Sequence, residues 1–176
     1  MLRVLSVVRP LRANYEARAL FTTGVNPSEA SEDSKRVGEV YSRFGIQLSD
    51  PSLMTQSITH KSFKHGSLPT NEKLSYLGRT FLEMHITERK WDKVKSKPTL
   101  QSTIADGVAV SKLAGVAREN GVDKVLRWKA ASSASEATTG QESVLAQTME
   151  AIVGAVYHDQ GSKAARDFVV KHVYPY

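Results

Sequence analysis

The chain contains no cysteine. A disulfide framework and a thiolate zinc site are therefore excluded, and a reducing compartment suits it. It has no apolar run near the roughly 18 residues that a membrane-spanning helix needs, so no membrane partner is expected. Acids are scarce at one end: residues 1 to 24 hold Glu16 alone against Arg3, Arg9, Arg12 and Arg18. Metal-ligand spacing is also lacking, because His60, His65, His85, His158 and His172 fall into no pattern with nearby carboxylates. No metal and no other cofactor is expected on that basis. His60 reads as a residue that serves the packing of its own loop.

What remains is 176 residues with 40 % hydrophobic composition, enough for one domain with a real core and little more. The formal net charge is +6, which favours a polyanionic partner. Half of that excess sits in the first 24 residues, so the body is only mildly basic. The opening "MLRVLSVVRPLRANYEARALFTTG" is Arg-rich, acid-poor and supplied with Ser and Thr, with Leu2, Val4, Leu5, Val7 and Val8 forming an apolar side. It has the character of a mitochondrial targeting segment over 1–24, and the expected address is the mitochondrial matrix. A polar linker is expected over 25–34 and a folded domain over 35–176.

The domain reads as helices throughout. Val37, Val40, Tyr41 and Phe44 recur at three and four residues, and Gly45 follows as a stop. Asp50 and Pro51 suit an N-cap and first helical position, with Leu53, Met54 and Ile58 on one side. Asn71 is expected to cap a long helix whose stripe is Leu74, Leu77, Phe81 and Met84. Ile104, Val108, Leu113 and Val116 suggest a single helix ending at Gly121, and 122–128 a short one. "KAASSASEATTGQ" (129–141) has no periodicity and reads as mobile. Leu145, Met149, Ile152, Val153 and Val156 mark an inward stripe stopped by Gly161; a last helix then carries Ala165, Phe168, Val169 and Val173. No alternating strand pattern is present, so the expected class is all-α.

Three segments stand out in order: "ITHKSF" (58–63), "NEKLSYLG" (71–78) and "VLAQTMEAIVGAVYHDQG" (144–161). Together they resemble the endonuclease domain of the ribonuclease III family over about 30–176, and the resemblance implies that family's helical fold. In the family, carboxylates on two packed helices hold Mg²⁺ for RNA strand cleavage, because a hard dication needs several oxygen ligands. The matching positions here are Glu72, Ser75 and Arg79 on the first helix and Gln147 and Glu150 on the second. Two are acids. Ser75 and Gln147 are weak neutral ligands, and Arg79 is a permanent cation. On these residue types the chain is expected not to be an enzyme, with Arg79 close to Glu72 or Glu150 in place of a metal.

Two basic clusters flank aromatic residues. Arg89, Lys90, Lys93, Lys95 and Lys97 surround Trp91, while Lys124, Arg127 and Lys129 surround Trp128; Lys61 and Lys64 lie in or beside the first motif. Cations of this kind can follow a phosphate backbone and a flat ring can stack on a base. The competing reading is a solvated helix end whose cations suit the C-terminal dipole. With the targeting segment, the whole resembles the fungal-type ribonuclease III-like proteins of the mitochondrial large ribosomal subunit. That resemblance implies a structural role, with large-subunit rRNA, other large-subunit proteins and a second ribonuclease III-like protein as partners, the last in a heterodimer through the signature helix. The alternative is a subunit of a mitochondrial RNA-processing nuclease, active or as an inactive dimerisation partner.

Overall fold

Six α-helices follow one another in the computed structural model, which describes residues 27–130 and 134–175. They are α1 (Pro27–Phe44), α2 (Pro51–Ser57), α3 (Glu72–Lys90), α4 (Lys97–Gly107), α5 (Val110–Glu119) and α6 (Ala134–Phe168), with a short π-helix, Val169–Val173, at the end. No strand occurs among the described residues; Thr59 and Arg127 form one isolated parallel bridge. The all-α expectation holds. The segment 1–24 lies outside the described residues.

Several local rules act as read. Asp50 accepts the Ser52 N–H through its carboxylate at 2.8 Å, with Pro51 opening α2. Val37, Val40, Tyr41 and Phe44 turn inward from α1, and Leu145, Met149, Ile152, Val153 and Val156 do so from α6. Ala165, Phe168 and Val169 complete the same core. Gly161, with φ of 81°, interrupts the helical geometry of α6 where a stop was expected.

Other expectations need correction. The helix α1 starts at Pro27, inside the stretch read as a linker; proline suits a first helical turn, where its missing N–H has no partner to lose. The run 129–141 is not all loop, since α6 begins at Ala134. A helix already anchored by the core at Val144 and Leu145 extends at little cost once nucleated, even through polar sequence. The stretch read as one helix over 104–116 is two, divided at Val108 and Ala109, where Ala109 is extended.

Most consequential is α3. Asn71 does not cap it with its side chain. It is fully buried, and its Nδ2 donates to the Ser57 carbonyl at 3.2 Å while its backbone N–H donates to the Thr59 carbonyl at 2.9 Å. The start of α3 is thereby tied to the end of α2. The buried side of α3 consists of Leu74, Ser75, Gly78, Phe81, Leu82, His85 and Ile86. Met84 points to solvent, 46 % exposed, whereas Phe81 is core as expected. The buried face packs on α6, and this packing brings the motif residues together.

Candidate functional site: the cleft between α3 and α6

The two helices cross backbone on backbone. A Cβ at Gly78 would lie 1.9 Å from the Glu150 carbonyl oxygen, and one at Gly154 would lie 2.0 Å from the Leu74 carbonyl oxygen. Only glycine at both positions allows so short an approach. The crossing fixes Arg79, one residue past Gly78, beside Glu150.

Arg79 bridges two carboxylates. Its Nε donates to Glu83 Oε1 at 3.0 Å and its Nη1 donates to Glu150 Oε1 at 3.1 Å. Glu150 is the buried member; its side chain is 10 % exposed, against 48 % for Arg79. Burial pushes the Glu150 carboxyl above its ordinary pKa, the Arg79 charge and hydrogen bond pull it down, and Glu83 pushes it up again. The expected proximity of Arg79 to Glu150 is found. The involvement of Glu83 was missed, although its position four residues after Arg79 on a helix is a readable signal.

The remaining motif residues are engaged nearby. Glu72 turns away from Arg79: its carboxylate takes Lys61 Nζ at 3.2 Å and the Thr70 hydroxyl at 3.4 Å. The Ser75 hydroxyl donates to the Glu72 carbonyl at 3.0 Å. Gln147 donates to Asn71 Oδ1 at 3.4 Å, so α6 also reaches the buried asparagine that anchors α3.

His60 sits just outside this cleft. Its Nδ1 accepts from the Ser62 N–H at 3.2 Å and lies 2.9 Å from the Ser62 hydroxyl, which closes its own loop. Burial lowers its pKa, Lys61 lowers it further and Glu72 opposes them.

The basic residues divide into two groups at opposite ends of α3. Lys61 reaches the first residue of the helix. Arg127 is paired with the same segment, since its N–H donates to the Ile58 carbonyl and its own carbonyl accepts from His60, each at 2.9 Å. Lys129 N–H donates to the Ser62 hydroxyl at 3.0 Å. Lys64 follows in the same loop, its ammonium 5.6 Å from the Phe63 ring centre. Lys61, Lys64, Arg127 and Lys129 therefore belong to the segments around the start of α3, whereas Lys124 faces α1, lining a recess with Arg36. Arg89, Lys90, Lys93, Lys95 and Lys97 lie at its far end, about 27 Å away by helical rise. There Lys90 stands 5.7 Å from the Tyr174 ring centre, and Trp91 is 66 % exposed. Arg89 and Lys90 suit the C-terminal dipole of α3. Lys97 does not fit that account, because it opens α4 without an acid in the first turn.

Residues 50–176 match the family model described as Ribonuclease-III-like. The chain is 34 % identical over 153 residues to Ribonuclease 3 of Thermobifida fusca, covering 84 % of this chain and 59 % of that protein. It is 30 % identical over 152 residues to Ribonuclease 3 of Corynebacterium efficiens, covering 84 % and 61 %. It thus spans about three-fifths of these relatives' length. The nuclease domain of ribonuclease III from Campylobacter jejuni superposes with a TM-score of 0.66 at 22 % identity, over 78 % of this chain and 95 % of that one. The chain belongs to the ribonuclease-III-like family.

These relatives overturn the expectation that the chain is not an enzyme, which rested only on the residue types Ser75, Arg79 and Gln147: the proteins it matches at 30 to 34 % identity bear the name of a nuclease. Metal binding by the cleft as arranged here is a different question. A divalent ion would need several oxygens turned toward one point. Here Glu150 is taken by Arg79, Glu72 by Lys61 and Gln147 by Asn71. Among the described residues no group of three or more His, Asp or Glu side chains could hold a metal ion. The donor set in this arrangement does not fit Mg²⁺. No described helix is long and apolar enough to cross a membrane.

Proposed function

We propose that this chain binds structured RNA as one of a pair of ribonuclease III-like domains, and that its setting is the mitochondrial large ribosomal subunit, in the matrix. The observation that carries the pairing is the outer side of α3. Tyr76 is 78 % exposed and Met84 46 % exposed, at positions 76 and 84 of a helix whose opposite side is core. Two large apolar side chains two turns apart, on the helix that also carries the cleft, suit a protein partner. The Campylobacter jejuni nuclease domain, for its part, has a region involved in dimer formation. A related but different domain is the partner that an asymmetric particle would supply, together with large-subunit rRNA and other large-subunit proteins. The Arg-rich, acid-poor stretch 1–24 supports the mitochondrial address.

The test is sedimentation of the tagged chain from mitochondrial lysate. Co-migration with the large subunit through a high-salt wash supports the ribosomal setting, and release into the light fractions removes it. The relatives' name, Ribonuclease 3, favours nuclease activity, which with the mitochondrial address gives a second reading: a subunit of a mitochondrial RNA-processing nuclease, active or as an inactive dimerisation partner. Incubation of the chain, alone and with its co-purifying partner, on duplex RNA with Mg²⁺ separates the two. Cleavage into duplex products that is lost in Glu150→Gln establishes the nuclease reading.

A further inference from the structure

A groove on the far side of the 121–127 segment belongs to none of the motifs above. It is a recess of about 290 Å³ between α1 and the Gly121 turn, and Arg36, Arg43 and Lys124 line it with Glu39. Among the described residues none of those three cations has a carboxylate within ion-pair distance. Unpaired guanidinium groups gathered in a concave surface leave strong donors without an acceptor. Their net charge, three cations against Glu39, favours an anion.

The groove is also shaped around one of them. Gly121 has a left-handed φ of 76°, and a Cβ there would lie 2.7 Å from Arg43 Nη1. The turn thus leaves room for the guanidinium directly above its backbone. Arg36 and Arg43 are seven residues apart on α1, two turns on one side of the helix and about 10 Å along its axis. They present two separated charges rather than one point.

The groove does not stand alone. Arg36, Lys124 and Arg127 line an adjoining recess of about 130 Å³. Arg127 in turn is bridged to Thr59, and Lys129 to Ser62, beside Lys61 and Lys64. Basic residues therefore recur from the loop before α3, through 129, 127 and 124, to the recess on α1.

We infer that Arg36, Arg43 and Lys124 bind successive phosphates of an RNA strand, which leaves the start of α3 along this band and crosses α1. The inference rests on the RNA-binding reading above and adds to it a course for the strand and two residues outside the motifs. An RNA backbone fits better than a single phosphate, because the charges are spread over two recesses in series. It fits better than an acidic protein segment because the band continues into the loop at the mouth of the α3–α6 cleft.

The experiment measures affinity of the full chain for a hairpin RNA over a series of salt concentrations. Three proteins are compared: wild type, Arg36→Gln/Arg43→Gln/Lys124→Gln, and the charge-keeping Arg36→Lys/Arg43→Lys/Lys124→Arg. The neutral variant should bind at least tenfold more weakly at low salt. Its slope of log affinity against log salt should fall by about two to three units, close to one for each phosphate that no longer meets a cation. The charge-keeping variant should hold the wild-type slope, and thermal melts should show both variants folded. If wild type itself fails to bind RNA, the RNA-binding reading falls and the inference with it. If wild type binds and the neutral variant keeps its slope, the course across α1 is wrong while the wider reading stands. An unchanged RNA slope combined with loss of poly-glutamate binding in the neutral variant would overturn the inference in favour of an acidic protein partner.

Discussion

Gly78 of α3 and Gly154 of α6 pass each other so closely that each lies against the other helix's backbone. A Cβ on the first would meet the Glu150 carbonyl oxygen at 1.9 Å, and one on the second would meet that of Leu74 at 2.0 Å. No rotamer change can relieve either clash, because the obstacles are main-chain carbonyls. Gly78→Ala and Gly154→Ala are each expected to push the helices apart and to cost about 3 kcal/mol. Chemical denaturation checks the value. As controls, Gly38 and Gly115 have open space where a Cβ would be added, and alanine there should be neutral or mildly stabilising.

Arg79 holds Glu150 at 3.1 Å across the same crossing. Arg79→Ala leaves the largely buried Glu150 carboxylate without its cation. The Arg79 side is half open to water, so the expected loss at neutral pH is only about 1 kcal/mol. The pH dependence is more informative. Burial raises the Glu150 pKa in the fold, so its stabilising contribution is fully present below the ordinary carboxyl value and is lost as pH rises through the raised one. Removing Arg79 takes away the two influences that lower that pKa, its charge and its hydrogen bond. The penalty of Arg79→Ala should therefore be larger at pH 7 than at pH 4, and Glu150→Gln in the same background should abolish the difference. A penalty that is equal at both pH values would show that the ion pair does not hold the carboxylate ionised.

His85 is 2 % exposed, stacks on Phe81 with ring centres 6.2 Å apart, and has no hydrogen-bond partner on either ring nitrogen among the described residues. Burial lowers its pKa, and Arg166 and Arg89 lower it further against the opposing effect of Glu88. A depressed histidine contributes stability that is present above its ordinary value near 6.5 and lost as pH falls through the folded value. His85→Leu keeps a similar volume and removes two orphaned polar atoms. It should stabilise the domain by about 1 kcal/mol at neutral pH. It should also remove part of the acid sensitivity below pH 6.5, as thermal melts across that range would show.

How far the sequence carried follows from what each residue advertises. The inward sides of α1 and α6 were legible because Val37, Val40, Tyr41 and Phe44, and Leu145, Met149, Ile152 and Val153, are all apolar and all buried. The α3 stripe was displaced toward Met84 because its true members include Ser75, Gly78 and His85, which count as polar or featureless in any apolar pattern. Arg79 near Glu150 was legible from the motif spacing. What holds them there was not: a close backbone crossing needs two glycines on separate helices, and nothing within 71–83 or 144–161 alone announces the match. Asn71 looked like a cap because of its place before a helix, yet burial gave its amide to Ser57 and Gln147 instead. The Arg36 and Arg43 groove was hidden for a similar reason. Its third wall is the Gly121 turn, nearly eighty residues away in the chain.

The two basic ends of α3 stand about 27 Å apart, and this distance makes their contributions separable. Lys93, Lys95 and Lys97 are all exposed, and Lys97 sits at a helix start where a cation opposes the dipole. Local helix stability therefore does not account for it, whereas a phosphate partner would. Lys93→Ala/Lys95→Ala/Lys97→Ala should leave the melting temperature within a few degrees of wild type. It should reduce the salt slope of binding by about one unit for each phosphate left without its lysine, on an RNA long enough to span both ends. On an RNA shorter than that span, the slope of the wild type should already be smaller, since both ends cannot be engaged at once. Combining the substitutions with Arg36→Gln/Arg43→Gln should give additive slope changes on the long RNA, because each substitution removes a phosphate contact of its own. Fluorescence anisotropy over a series of salt concentrations suffices. A wild-type slope that does not depend on RNA length, together with an unchanged slope in the triple lysine variant, would leave 93–97 as a solvated turn and confine binding to the other end of α3.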